Sequence, residues 1–365
     1  MIKAFVAENI FTGEEWLRNH AVIAENEIIL EIVHNNNIPS DADIISCANG
    51  FLAPAFIDIQ IYGAYGSLFS AYPTVQTLEK IHQYCKAGGA NHFQPTVATN
   101  TYEVFYTCID AIKDYRDKGG KGVIGLHIEG PWISKDKRGA HIEELIHSPT
   151  LEQAKALLEY GKGVITMITI APEVCSDEII DLINAYGVIV SAGHSNATFS
   201  EANDGFSKGI FTSTHLYNAM SPLQHRAPGM VGAVMGHSNV MSSIVPDGFH
   251  VDFAAVSIAK KVMQERLFFI TDAVTQTNEG PYPHQPDGDK YVSNGILSGS
   301  ALTMAKSVKN AVEKAGIELS EALRMASLYP AQVMRLDSKL GRIAKGFKAE
   351  FVMMNDELEV IMNSY

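Results

Sequence analysis

The chain has 365 residues, 46% of them hydrophobic and 19% charged, which describes a folded protein with a large core and excludes a disordered one. A net charge of −13 argues against nucleic acid or an anionic membrane surface as partner, although local basic groups can still hold a small anion. The four cysteines, Cys47, Cys85, Cys108 and Cys175, are far apart with no CxxC, so they read as reduced thiols of a cytoplasmic protein.

The first residues carry one Lys, early acids and no long apolar run, which is not the pattern of a signal peptide. No apolar run reaches the ~18 residues that a membrane span needs. In residues 1–50, short apolar runs at Ala4–Val6, Ala21–Ile23 and Glu27–Val33 are separated by Asn, Gly and charges, and predict small antiparallel strands. Gly341–Met354 has the same texture. Neither piece can bury a core alone, so residues 1–50 and 336–365 are expected to pair in one small β-sandwich domain.

Between 51 and 335 the pattern becomes strand then helix, repeated. Strands are predicted over 55–61, 92–98, 123–128, 164–170, 188–192, 211–215, 242–245 and 267–271. Helices are predicted over 77–85, 104–116, 151–158, 177–186 and 254–266, with two more near 303–315 and 320–333. Eight strands alternating with helices make a (β/α)8 barrel, an α/β fold, more consistent than an open sheet.

In such barrels the chemistry sits at the C-terminal ends of the strands. Reading those ends gives Gln60 and Tyr62, then Glu129, His194, His215, His250 and Asp272. Glu129 closes an apolar strand just before Gly130-Pro131, and a carboxylate there needs a cation or hydrogen bonds. An ion pair or a helix cap would also satisfy it, and a lone His after a strand is ordinarily a loop residue. The convergence of a Glu and two or three His on one rim is what points to a metal site with an open position. Asp272, after the apolar run Phe268–Ile270, has the bearing of a general base. His127 lies two before Glu129, so it points into the barrel as support. His20, His34, His82, His147, His237 and His284 have no such placement and are expected at the surface.

Longer motifs extend the pattern. They are Ala53–Asp58, Gly125–Trp132, Arg138–His141, Ser191–Ser195, Thr214–Met220, His225–Gly229, Pro246–His250, Ile270–Ala273 and Leu297–Met304. In order and content they resemble the amidohydrolase superfamily, and within it the deacetylases of amino-sugar phosphates. The resemblance implies hydrolysis of the N-acetyl group of N-acetyl-D-glucosamine 6-phosphate. It implies one divalent metal ion per chain, zinc, on Glu129, His194 and His215, with Asp272 as catalytic acid/base and His250 hydrogen-bonding the acetyl carbonyl. It further implies a sugar-phosphate site shaped by Ala140, His141, Asn218, Ala219, His225, Arg226, Asp247, Gly248, Phe249, His250, Leu297, Ser298 and Gly299. Arg226 would reach the substrate of a neighbouring subunit, which makes a homodimer. One departure stands out: many relatives carry His-x-His after the first strand, whereas here the place reads Gln60-Ile-Tyr62. That lowers the expected metal count to one. A different amide hydrolase would keep the rim but not Asn218-Ala219 with His225-Arg226, and a mere sugar-phosphate binder would be expected to lose Asp272 or a ligand.

Overall fold

The computed structural model describes residues 1–363. Eight parallel strands form one sheet in chain order: Phe56–Ile61, Ala90–Ala98, Leu126–Glu129, Ile165–Ile170, Ile189–Ala192, Thr212–Ser213, Met241–Ile244 and Leu267–Phe269. The ring closes just past the last strand, where the Tyr62 N–H donates to the Ala273 carbonyl and the Asp272 N–H to the Gln60 carbonyl. The expected (β/α)8 barrel is therefore present. Its strands are apolar because helices cover them outside and side chains fill them inside.

Three strands are at least two residues shorter than their sequence suggests, the eighth ending at Phe269. The third begins at Leu126 because Gly125, at φ 145°, interrupts the run that starts with Val123. The sixth is only Thr212–Ser213, since His215 at φ 40° leaves the extended region. Gly125 is required on a second ground: a Cβ there would lie 2.0 Å from Thr166 Oγ1 on the next strand. Gly125→Ala is expected to cost about 2–4 kcal/mol, from backbone strain plus overpacking, read as a lower urea midpoint. An unchanged midpoint would refute that account of the position.

The predicted helices form, several of them capped by threonine side chains at Thr74, Thr101, Thr150 and Thr303. Two helices escaped the sequence reading. Phe199–Ser207 is short and mostly polar, with only Ala202, Gly205 and Phe206 buried, and Gly229–Gly236 is apolar all round with three glycines, so it has no amphipathic stripe. The expected helix over 320–333 is divided at Ser327 into Leu319–Ala326 and Leu328–Val333. An antiparallel unit, Gln285–Asp287, Lys290–Ser293 and Ile296–Ser300, was also missed. Its signal was legible: Asn294-Gly295, both at positive φ, is the preferred two-residue hairpin turn.

The two termini do meet. Val360–Asn363, Phe351–Met354, Asp43–Pro54, Lys3–Phe11, His20–Glu25 and Ile28–His34 lie side by side, with Trp16–Arg18 paired to Lys3–Phe11. The seven strands of this small β domain are hydrogen-bonded in one continuous sheet, in which Lys3–Phe11 pairs with three others. Residue 50 falls inside Asp43–Pro54, whose end pairs with Phe351–Met354. Phe5, Leu52 and Phe351 form its core. Among the described residues no helix is long and apolar enough to cross a membrane.

Candidate active site

Glu129 ends its strand 1% exposed, and its two oxygens have different neighbours. Oε1 lies 2.9 Å from His215 Nε2 and 3.4 Å from His194 Nε2, and accepts from Gln60 Nε2 at 3.1 Å. Oε2 faces His141 Nε2 at 3.2 Å and accepts a short hydrogen bond from the Tyr62 hydroxyl. Burial pushes the Glu129 carboxyl up, and the imidazoles of His194, His141 and His215 more than reverse this, holding it well below the usual range.

His194 Nδ1 is 2.9 Å from the Lys137 carbonyl, a contact that only an N–H can satisfy. This fixes the tautomer, so the Nε2 lone pair faces Glu129 Oε1 and, at 3.1 Å, His215 Nε2. Acceptors converging in a buried place need a positive partner, and a divalent cation provides one. The donor set therefore fits a metal ion. His141 belongs to the same cluster: ligand atoms of Glu129, His141 and His194 lie within 4.8 Å of one another.

Asp272 follows the eighth strand, 8% exposed and at φ 54°. Gln60 Nε2 donates to its Oδ1 at 2.9 Å, so one amide ties Asp272 to Glu129. Burial raises the Asp272 pKa above the usual range, opposed by His215 and reinforced by the Glu129 charge. Asp58, one turn of the pleat earlier than Gln60, anchors the same segment by accepting from Thr271 Oγ1 at 2.5 Å and from the Thr271 N–H. Burial pushes the Asp58 carboxyl up to about 7.

His250 is aimed by Asp247. Its Nδ1 lies 2.6 Å from Asp247 Oδ2, while Asp247 Oδ1 accepts from the N–H groups of Phe249 and His250. Nε2 then points to Asp272 Oδ2, 4.0 Å away. His194, His215, Tyr217, Ala219 and Asp272 all hold positive φ, a concentration of backbone strain typical of functional sites. Beneath the rim, His127 Nε2 bonds Thr169 Oγ1 at 2.7 Å, and Thr169, Thr214 and Ser191 continue the hydroxyl chain. His127 thus lies inside the barrel as expected.

A cavity of about 190 Å3 opens above these groups, walled by Ala140, Asn218, Ala219, Leu297 and Ser298 among others. Gly299 packs behind the wall, where a Cβ would meet Val274 Cγ1 at 2.5 Å. Gly248 and Phe249 belong to the turn that Asp247 holds, with Phe249 largely exposed. His225 and Arg226 are off this cavity, exposed on the loop before Gly229–Gly236, and Arg226 has no ion pair among the described residues. The surface expectation for the remaining histidines holds at His34 and is corrected at five positions, His20 and His237 being half-buried. His284 is buried in the cavity wall by the hairpin unit that the sequence reading missed. His82 is half-buried and stacks on Phe93, and His147 is half-buried against Tyr102.

Residues 51–364 match the amidohydrolase family, and residues 4–47 match the NagA composite domain. The chain belongs to the amidohydrolase family. It is 36% identical to the N-acetylglucosamine-6-phosphate deacetylase of Haemophilus influenzae over 364 residues, covering 96% of this chain and 95% of that protein. It is 35% identical to the N-acetylgalactosamine-6-phosphate deacetylase of a Shewanella species, over 86% of this chain and 81% of that one. The crystal structure of N-acetylglucosamine-6-phosphate deacetylase from Pasteurella multocida matches with a TM-score of 0.95 at 34% identity, covering 100% of this chain and 98% of the other.

Proposed function

We propose that this chain hydrolyses the N-acetyl group of N-acetyl-D-glucosamine 6-phosphate to D-glucosamine 6-phosphate and acetate. The observation that carries this reading is the Gln60 amide, which sets the proton-handling Asp272 beside the Glu129 cluster at the floor of one cavity. Glu129, His194 and His215 would hold a single divalent ion, with zinc suited to imidazole and carboxylate donors. When bound, such an ion supplies Lewis acidity and lowers the pKa of water to about 7.

The rest falls to the chain itself. Asp272 takes a proton from the attacking water and returns it to the leaving amine. Asp247 aims the His250 ring at the acetyl carbonyl oxygen, where it stabilises the negative charge that develops. Asn218, Ala219, Ala140 and His141 orient the sugar over them. His141 stays with the substrate because its Nδ1 is tied to Thr99 Oγ1 and its Nε2 faces the oxygen that Tyr62 already serves.

Gln60 and Tyr62 offer a second ion no ligand. Gln60 turns its NH2 toward both carboxylates, and Tyr62 donates its hydroxyl hydrogen, so each offers a proton where a metal needs a lone pair. Burial, with the Glu129 and Asp272 charges, raises the Tyr62 phenol well above its ordinary range and keeps it a donor.

Arg226 is exposed and away from its own chain's cavity, which supports a homodimer in which it reaches the phosphate bound next door. Arg226→Ala is expected to raise KM for the phosphorylated sugar by roughly tenfold or more with little change in kcat, as loss of a bidentate phosphate contact would. Equal losses on phosphorylated and unphosphorylated N-acetylglucosamine would remove Arg226 from the phosphate site. The four cysteines are free and buried, which suits the cytoplasm. Acetate release from phosphorylated against unphosphorylated N-acetylglucosamine tests the reading, which requires a strong preference for the former.

A further inference from the structure

One buried side chain in the cavity wall has no part in the chemistry above. His284 is 4% exposed, and its backbone is clamped to Thr277 by two hydrogen bonds of 3.1 and 2.9 Å. Its Nδ1 lies 2.9 Å from Ser298 Oγ on Ile296–Ser300, the third strand of the hairpin unit. Its Nε2 has no hydrogen-bond partner among the described residues. The opening left to so buried a ring is the cavity that it shares with Asp272, His250 and Asn218. A nitrogen that opens on the cavity can be met there by a hydroxyl on a ligand.

We propose that the His284–Ser298 pair reads a ring hydroxyl of the sugar and sets the preference between N-acetylglucosamine 6-phosphate and its C4 epimer, N-acetylgalactosamine 6-phosphate. This rests on the deacetylase reading above.

The chemistry of the pair selects the ligand group. Burial lowers the His284 pKa to about 4, so the ring is neutral in the working range and has no charge to offer a phosphate. A metal would want more donors than one nitrogen, and the Glu129 cluster is not hydrogen-bonded to His284. A sugar hydroxyl both donates and accepts, which matches a neutral imidazole in either tautomer. The pair is also held rigidly, by the Thr277 clamp and by the hairpin strand that carries Ser298. The two epimers differ only in the direction of the C4 hydroxyl, so a fixed partner can meet one and miss the other. Relatives of nearly equal identity, 36% and 35%, are named for the two epimers, so overall likeness does not choose between them.

The test is kcat and KM on both epimers for wild type, His284→Ala and Ser298→Ala, with metal content and thermal melting followed in parallel. Wild type is expected to favour the glucosamine epimer by about tenfold or more in kcat/KM, the scale of one well-placed polar contact. His284→Ala should raise KM for that epimer far more than it lowers kcat, and bring the ratio between epimers to within about threefold. Ser298→Ala should move the ratio the same way by less, because the ring remains but loses its anchor. A wild-type ratio near one, or variants that lose activity on both epimers equally, would overturn the proposal. If His284→Ala fails to fold, Ser298→Ala decides alone, and an unchanged ratio there also overturns it. Wild type that releases no acetate from either sugar would sink the deacetylase reading itself, a distinct result.

Discussion

Asp272→Asn should lower turnover by about 10²–10⁴-fold, the range for a positioned acid–base group, while fold and metal content hold. The amide keeps the size of the side chain and can still accept the Gln60 hydrogen bond at Oδ1. The main-chain tie from Asp272 N–H to the Gln60 carbonyl is untouched. What disappears is the oxygen 4.0 Å from His250 Nε2 that can carry a proton between water and amine. Acetate release measured beside metal analysis separates this from ligand loss. Near-full turnover would reduce Asp272 to a structural carboxylate.

Glu129→Gln should lose both metal and activity, with a fall on the order of 10³-fold or more if Lewis-acid stabilisation of several kcal/mol is removed. The glutamate takes contacts from His194, His215, His141, Gln60 and Tyr62 on its two oxygens. A carboxamide would turn an NH2 toward some of these donors and remove the charge that the imidazoles face. Metal content should fall in parallel with the rate, while circular dichroism stays that of the parent. A variant that kept its full metal would show that Glu129 is not a ligand.

The barrel was legible because its strands are buried on both faces and so read as continuous apolar runs. The rim was legible because Glu129, His194, His215 and Asp272 follow those runs directly, where a polar residue needs a reason. Local sequence could not reveal what depends on closure. Gln60 meets Asp272 only because the first strand meets the chain just after the eighth, and that contact turns an apparent weak ligand into a donor for two carboxylates. Tyr62 gained its role the same way, through Glu129 across the barrel mouth. His284 looked like a surface residue because the hairpin that buries it was overlooked, although the Asn294-Gly295 turn marked it. The short sixth strand was hidden by the left-handed backbone of His215, a strain that composition does not announce. The helix Gly229–Gly236 forms against glycine propensity, which packing overrides.

The most direct test of the account is acetate release from N-acetylglucosamine 6-phosphate before and after dialysis against a chelator, followed by titration with zinc. The account predicts turnover in the starting protein, its loss on chelation, and full return with one equivalent per chain, since Gln60 and Tyr62 leave no second site. Undiminished release after the metal is gone, or recovery that needs two equivalents, would contradict it.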